Sequence, residues 1–182
     1  CPWAHRAIPF RQLTGLEPAI CMSVVDPIRD SRGGAFTDAA GCGPDPINGF
    51  EVLGEAYRAT DSTFDGRVTV PVLWDKQTGR IVNNESSEII RMLNSEFDAW
   101  GRDDLDFYPE RARAEIDAVN EEIYANVNNG VDRCGFAGTQ RAYDEAFERL
   151  FRTLDGLERR LASSRYLVGD SITEADWRLF TT

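Results

Sequence analysis

The apolar positions at the start of the chain alternate between helical and strand-like spacing. Residues 1–13, CPWAHRAIPFRQL, place apolar side chains three and four positions apart, which predicts a helix that ends near Gly15. The run AICMSVV at 19–25 is short and rich in β-forming residues, so it predicts a strand. FEVLGEAYRAT at 50–60 then predicts a short helix. This alternation indicates a mixed α/β arrangement.

A strand–turn–strand pattern follows. RVTVPVLWD at 67–75 and RIVNN at 80–84 are rich in β-forming residues, and the KQTG between them contains the glycine of a tight turn. The next segment, 85–100, predicts a helix. Its apolar face consists of Ile89, Ile90, Leu93 and Phe97. Together these elements predict a βαβ…ββα domain over residues 1–97.

Beyond Tyr108-Pro109 the pattern is purely helical. Residues 111–129 and 139–164 both have apolar side chains at a spacing close to the helical repeat. The predicted core face of the second segment consists of Ala142, Phe147, Leu150, Leu154 and Leu157. These segments predict an all-α domain over residues 108–182.

A capping pattern marks the start of the last helix. Thr173 is placed to accept a hydrogen bond from the amide of Asp176, and the Asp176 carboxylate is placed to reach back to Thr173. Ile172 is available as a hydrophobic staple. The sequence therefore predicts a helix start at Thr173.

The composition is acidic, with a formal net charge of −11. This charge argues against nucleic acid or an anionic membrane as the main partner, because phosphates would be repelled. No apolar run approaches the ~18 residues of a membrane span. The composition therefore predicts a soluble protein.

Four cysteines are scattered along the chain, and His5 is the single histidine. Zinc sites and small disulfide scaffolds usually show closely paired ligands, which this spacing lacks. We therefore expect reduced thiols, no metal and a cytoplasmic location.

The Cys1-Pro2 pair is the first candidate for chemistry. Proline is favoured in the first turn of a helix, which would leave Cys1 at the cap, where unpaired amides and the helix dipole favour a thiolate. The fourth position is Ala4, so no second cysteine could resolve a mixed disulfide locally, and an external thiol would have to do so. The alternative is a buried, inert cysteine.

Two further candidate ligand-binding positions lie later in the chain. A proline inside a strand-like run suggests a cis bond at Pro71, which would leave the N–H and C=O of Val70 free to pair with an extended peptide. Glu85 and Ser86 begin a predicted helix, where helix-start amides and the serine hydroxyl suit a carboxylate and Glu85 suits an ammonium group. Ser86 could equally be an ordinary N-cap. Glutathione has a thiol, a peptide backbone, an amine and a carboxylate. It could therefore contact all three positions, namely Cys1, Val70 and the Glu85-Ser86 pair.

The chain resembles the glutathione transferase superfamily, and within it the glutathionyl-hydroquinone reductases of the Xi class. The resemblance rests on CPWAHR, GRVTVPVLWD, NNESSEIIRMLNSEFD, NNGV, GFA and YLVGDSITEADWRLFTT, which extend over essentially the whole chain. It implies a thioredoxin-like N-terminal α/β domain that lacks its first strand, followed by an all-α C-terminal domain. The chain then looks trimmed at both ends.

The resemblance implies a specific reaction. Cys1 would attack the glutathionyl sulfur of a glutathionyl-hydroquinone, release the hydroquinone and form a mixed disulfide that a second glutathione resolves to glutathione disulfide. Glutathione would be the co-substrate, and we expect a homodimer. By matching position, the glutathione site would consist of Arg67, Val68, Thr69, Val70, Glu85 and Ser86.

The chain departs from the Xi pattern at two positions. Relatives typically have a tyrosine after NNGV that assists at the leaving hydroquinone oxygen, whereas this chain has Asp132. An ionised carboxylate donates hydrogen bonds poorly, and Tyr124 could substitute. Relatives also tend to have a tryptophan that packs on glutathione, and here Gly34 occupies that place.

Two alternatives to the reductase differ in class. One is an N-terminal nucleophile hydrolase, in which Cys1 would use its own α-amine as a base. The other is a non-catalytic or weakly active glutathione-binding module of the same fold, which the residues at 34 and 132 make plausible.

Overall fold

The computed structural model describes residues 1–102 and 104–182. In chain order its elements are α1 (Pro2–Leu13), α2 (Gly54–Thr60), β1 (Leu73–Asp75), β2 (Arg80–Asn83), α3 (Ser86–Ser95), a 3-10 turn (Glu110–Ala112), α4 (Arg113–Ile123), a π-helical turn (Tyr124–Asn128), α5 (Asn129–Gly135), α6 (Gln140–Leu161) and α7 (Glu174–Phe180).

The predicted strand–turn–strand unit is confirmed, with shorter strands than the pattern suggested. β1 and β2 pair antiparallel, with Trp74 opposite Ile81. Gly79 has a φ of 65°, which only glycine adopts at little cost, and this closes the turn between the strands. The peptide bond between Val70 and Pro71 is cis, as predicted.

The strand predicted over 19–25 is wrong: the structure assigns no strand to that segment. A strand requires a neighbour to satisfy its backbone groups. Next to this segment the pairing is reduced to a single hydrogen bond, from the Asp26 N–H to the Ala35 carbonyl at 2.8 Å. Within the described residues the α/β half therefore contains one two-stranded sheet, β1–β2.

The core of the N-terminal half forms where α1 packs against α3. Ile89, Ile90 and Leu93 are buried, as the apolar face of α3 predicted, and they surround Phe10 of α1. Phe97 lies beyond the end of α3 and is only partly buried against the same cluster.

A second core lies between α4, α6 and α7, but the predicted face of α6 is only partly confirmed. Leu150 and Leu157 are buried and Leu154 is partly buried, whereas Ala142 and Phe147 are exposed. Phe147 instead belongs to an aromatic row on the outer side of the helix. The row consists of Tyr143, Phe147 and Phe151, with successive ring centroids 5.7 and 4.3 Å apart.

The start of α7 is capped as predicted and joins the two halves of the molecule. Thr173 and Asp176 form a reciprocal capping box. The Glu174 amide donates to the Phe107 carbonyl at 2.8 Å, and the ring of Trp177 packs against Phe10 and Phe107. None of the helices in the described part of the chain is long and apolar enough to cross a bilayer.

Candidate functional site

Cys1 lies at the N-cap of α1, as the sequence predicted. Pro2 occupies the first turn, and the Cys1 carbonyl accepts a hydrogen bond from the His5 amide at 3.0 Å. The Cys1 side chain is exposed and its thiol is free. The structure therefore does not bury this thiol, and its reactivity stays a prediction.

The first turn of α1 contacts the helical half through aromatic rings. Trp3, two residues after Cys1, lies edge-on to Tyr124 with ring centroids 5.9 Å apart. Tyr124 belongs to the π-helical turn and remains 49% exposed, so its phenol is accessible from solvent. Asp132 lies one element later, on α5, and is exposed. Of these two residues, the structure pairs Tyr124 with the first turn of α1.

The segment 67–70 is fixed to its neighbours through its backbone. The Tyr57 hydroxyl on α2 donates to the Thr69 carbonyl at 2.9 Å. Asn84 donates to that hydroxyl at 3.0 Å and to Oγ1 of Thr69 at 3.2 Å. The sequence pattern did not predict Tyr57 and Asn84 as part of the site. Asn84 could have been identified from the sequence, because it directly precedes the predicted binding pair Glu85-Ser86. Tyr57 could not, because it lies among the apolar positions of a predicted helix.

The side chains of the same segment are divided between core and solvent. Val68 and Val70 are half-buried and pack under α2, whereas Arg67 and Thr69 are exposed. The segment therefore presents its exposed side chains and its remaining free backbone groups to solvent, while Val68 and Val70 hold it against the core.

Glu85 and Ser86 lie at the start of α3, and the capping residue is Glu85 rather than Ser86. Glu85 is the N-cap, and its carboxylate accepts from the amide and hydroxyl of Ser87 at 3.2 and 3.1 Å. Ser86 is the first helical residue and is only 2% exposed. The ordinary capping role proposed for Ser86 is therefore wrong, because Glu85 performs it.

Ser86 instead contacts Arg6, which the sequence pattern did not indicate as part of the site. Nη1 of Arg6 donates to the Ser86 hydroxyl at 3.3 Å, and Nη2 donates to Oδ1 of Asn128 at 2.7 Å. The guanidinium also lies over the Trp3 ring, 4.7 Å from its centroid. Burial, followed by the charge of nearby Arg178, lowers the pKa of Arg6 to about 10, so the group stays protonated at neutral pH.

Gly34 is buried, and its carbonyl accepts from the Leu53 amide at 2.9 Å. A Cβ built on Gly34 would lie 3.2 Å from Cγ2 of Val25. A large ring at position 34 would therefore require Val25 to move, so the local packing is built for glycine.

Metal ligands do not cluster in the part of the chain that the structure describes: no group of three or more His, Cys, Asp or Glu side chains is placed to hold an ion. The contacts at the site join the Arg6 guanidinium to the Ser86 hydroxyl, that hydroxyl to the Glu85 carboxylate, and the ring of Trp3 to that of Tyr124.

Comparisons with known proteins find matches over the whole chain. The model of the glutathione S-transferase N-terminal domain matches residues 1–96, and that of the C-terminal domain matches residues 140–182. The chain is 53% identical over 182 residues to the glutathionyl-hydroquinone reductase PcpF of Sphingobium chlorophenolicum. The match includes the whole of this chain and 58% of that protein.

Solved structures give the same picture. The glutathione-bound structure of YqjG, a glutathione transferase homologue from Escherichia coli K-12, matches the whole chain with a TM-score of 0.97 and 50% identity, over 59% of its own length. Glutathione transferase Xi 1 from Trametes versicolor matches with a TM-score of 0.96 and 49% identity, over 64% of its length. The chain therefore spans less than two thirds of these proteins.

Proposed function

Because the chain belongs to the glutathione S-transferase family, we propose that it forms the catalytic part of a glutathione-dependent thiol oxidoreductase that reduces glutathionyl-hydroquinones to hydroquinones. The observation that supports this most is the exposed Cys1 thiol at the start of α1, with Ala4 one turn later instead of a second cysteine. That arrangement suits a thiol that waits for an external partner. An N-terminal nucleophile hydrolase has a different layer architecture and does not belong to this family.

The reaction proceeds in two exchanges at sulfur. The Cys1 thiolate attacks the sulfur of the glutathionyl-hydroquinone, an S–S bond forms, and the bond from sulfur to the ring carbon breaks. The ring keeps the electron pair and takes up a proton, which gives the hydroquinone. A second glutathione thiolate then attacks the mixed disulfide, so glutathione disulfide leaves and Cys1 returns as a thiolate. Overall, one substrate and one glutathione give one hydroquinone and one glutathione disulfide.

The start of α1 favours this chemistry. Cys1 is the N-cap of α1, at the positive end of the helix dipole, which favours a thiolate over a thiol, and its side chain makes no capping hydrogen bond that would occupy the sulfur. The exposure of the side chain leaves room for the in-line approach of a substrate sulfur.

Glutathione would bind along the strip from the segment 67–70 to the start of α3. The backbone of Val70 would pair with the peptide part of glutathione, Glu85 would bind its amine, and Ser86 at the positive end of the α3 dipole would bind its γ-glutamyl carboxylate. Tyr57 and Asn84 hold the first part of this strip in place. The proposed binding residues are Arg67, Val68, Thr69, Val70, Glu85 and Ser86.

Tyr124 is the proposed hydrogen-bond donor to the leaving hydroquinone. Its ring packs against Trp3, two residues from the nucleophile, and its phenol is accessible. A phenol can donate a hydrogen bond, whereas an ionised carboxylate such as that of Asp132 only accepts. The packing against α1 therefore favours Tyr124 over Asp132.

A cytoplasmic homodimer is the proposed context. The four free thiols and the acidic charge of −11 support a reducing compartment and a partner set without nucleic acid. The dimer is proposed from the family resemblance alone.

Turnover with a glutathionyl-hydroquinone tests the reductase function. The purified protein is incubated with this substrate and glutathione, and hydroquinone and glutathione disulfide are quantified by chromatography. Equal release of both products is expected from the wild-type protein, and none above background from Cys1→Ser, which should still bind glutathione. Full turnover by Cys1→Ser would refute the mechanism. Binding of glutathione without turnover by the wild type would favour the non-catalytic module.

A further inference from the structure

Arg6 is a buried cation without a direct counter-ion. Its side chain is 1% exposed, and among the residues that the structure describes it forms no ion pair. Nε of Arg6 has no hydrogen-bond partner there either. Burying a charge without a partner is costly, so proteins retain such groups chiefly where something compensates them.

The nearest polar partner of Arg6 is the hydroxyl at the start of α3. Because Nη1 donates to the Ser86 oxygen at 3.3 Å, that oxygen uses a lone pair on Arg6 and its own proton is left to be donated elsewhere. Among residues 1–102 and 104–182, the hydroxyl donates only to Oε1 of Glu85 at 3.5 Å, which is a long contact. Because the Ser86 hydroxyl accepts from Arg6, it is oriented to donate its own proton to a group that approaches the start of α3.

The position of Arg6 is in turn fixed by the helical half of the molecule. Oδ1 of Asn128 accepts from Nη2 of Arg6 at 2.7 Å. The amide nitrogen of Asn128 donates to the Arg178 carbonyl at 3.1 Å and to Oγ1 of Thr182 at 2.6 Å. Asn128 is 2% exposed, so this link lies in the interior. It connects the start of α3 to α7 through α1.

We infer that Arg6 is a positioning residue for a ligand carboxylate at Ser86: it aims the serine hydroxyl and supplies the positive charge that the carboxylate neutralises, while Asn128 holds it in place. The inference rests on the proposed function, in which this carboxylate is the γ-glutamyl α-carboxylate of glutathione. Two independent features meet at this point, the positive end of the dipole of the ten-residue helix α3 and the unpaired N–H of a buried arginine. The ligand site is then assembled from both halves of the chain.

A pair of ligands tests this role separately from folding. Calorimetry measures the Kd of glutathione and of γ-aminobutyryl-cysteinyl-glycine, which lacks only the γ-glutamyl α-carboxylate. For the wild-type protein we expect glutathione to bind at least about tenfold more tightly, since a charged hydrogen bond contributes that much. Arg6→Met should lose most of this preference by weakening glutathione, with the Kd of the analogue changed less than about twofold.

Asn128→Ala provides a second variant in case Arg6→Met does not fold. Removing Oδ1 frees the guanidinium from its anchor, so the preference for glutathione should again fall by several-fold. Arg152→Met is the control, because Arg152 pairs with Glu148 on the solvent side of α6 rather than with Ser86, and it should keep the wild-type preference.

The outcomes separate the two claims. If the wild-type protein binds neither ligand, the proposed function fails. If it binds glutathione but folded Arg6→Met or Asn128→Ala weakens both ligands equally, or neither, Arg6 is purely structural and the inference is overturned while the proposed function stands.

Discussion

The Glu174 carboxylate on α7 accepts hydrogen bonds from Arg91 on α3, at 3.0 Å from Nε and 2.7 Å from Nη2. Glu174 is 1% exposed, and it also accepts from Nδ2 of Asn120 at 2.7 Å. Nη2 of Arg178 lies 3.4 Å from the same carboxylate. One buried carboxylate therefore links the α/β half to two helices of the C-terminal half.

Removal of this carboxylate should strongly destabilise the protein. Glu174→Ala leaves the buried Arg178 and the Arg91 guanidinium without their shared counter-ion, so the free energy of unfolding in urea should fall by about 3–5 kcal/mol. Glu148→Ala is the matched control, because Glu148 pairs with Arg152 on the solvent side of α6 and should change stability by less than about 0.5 kcal/mol. Equal effects of the two variants would argue against the proposed link between the halves.

Asp117 should contribute to acid sensitivity. Burial raises its pKa, but hydrogen bonds from Tyr108 and Arg91 outweigh burial and hold the pKa of Asp117 below its ordinary value. Its contribution to stability is therefore complete above the unfolded value of ~3.9 and is lost as the pH falls through the lower native pKa. As the pH is lowered from about 5 to 2, the free energy of unfolding, measured by urea titration at each pH, should fall less for Asp117→Asn than for the wild type.

Asp155→Asn serves as the control for that titration, because Asp155 is exposed on α6. Its acid dependence should follow that of the wild type. An unchanged pH dependence in Asp117→Asn would contradict the role assigned to the Tyr108 and Arg91 hydrogen bonds.

Asp132→Tyr should increase kcat for glutathionyl-hydroquinone reduction. A tyrosine at this exposed position on α5 would add a hydrogen-bond donor where the present carboxylate only accepts. Steady-state kinetics of the variant and the wild type, with glutathione saturating, measure the effect. A kcat that stays constant or decreases would show that Asp132 has its own role or that a donor is not needed there.

Tyr124→Phe should lower kcat by at least about tenfold, because it removes the phenol proposed to donate to the leaving group but keeps the ring that packs on Trp3. Tyr143→Phe is the control, since Tyr143 lies in the aromatic row on the outer side of α6. The variant Tyr124→Phe with wild-type kcat would exclude Tyr124 as the donor.

Local patterns predicted much of the fold. The helix start at Cys1-Pro2, the turn at Gly79 and the Thr173–Asp176 capping box each involve residues within four positions of one another, and the structure confirms all three. The strand at 19–25 was predicted from composition, but a strand also needs a partner, and composition says nothing about partners. Phe147 was wrongly predicted to lie in the core. Its ring instead packs against neighbouring aromatic rings on the outer side of α6.

The buried network at the site could not be predicted in this way. Arg6 lies 80 positions from Ser86 and 122 from Asn128, and such pairings leave no periodic signal in the sequence. The sequence indicated which groups could bind glutathione, but only the packing of α1 against α3 and the π-helical turn brings a buried guanidinium to one of them.

The central claim is that Cys1 is the thiol that exchanges with glutathione, and mass spectrometry tests it most directly. The folded protein is exposed to glutathione disulfide, digested and mapped, with Cys21, Cys42 and Cys134 as internal comparisons. The account predicts a glutathione adduct on Cys1 that added glutathione removes. A folded protein without an adduct on Cys1, or with adducts only on the other three cysteines, would contradict it.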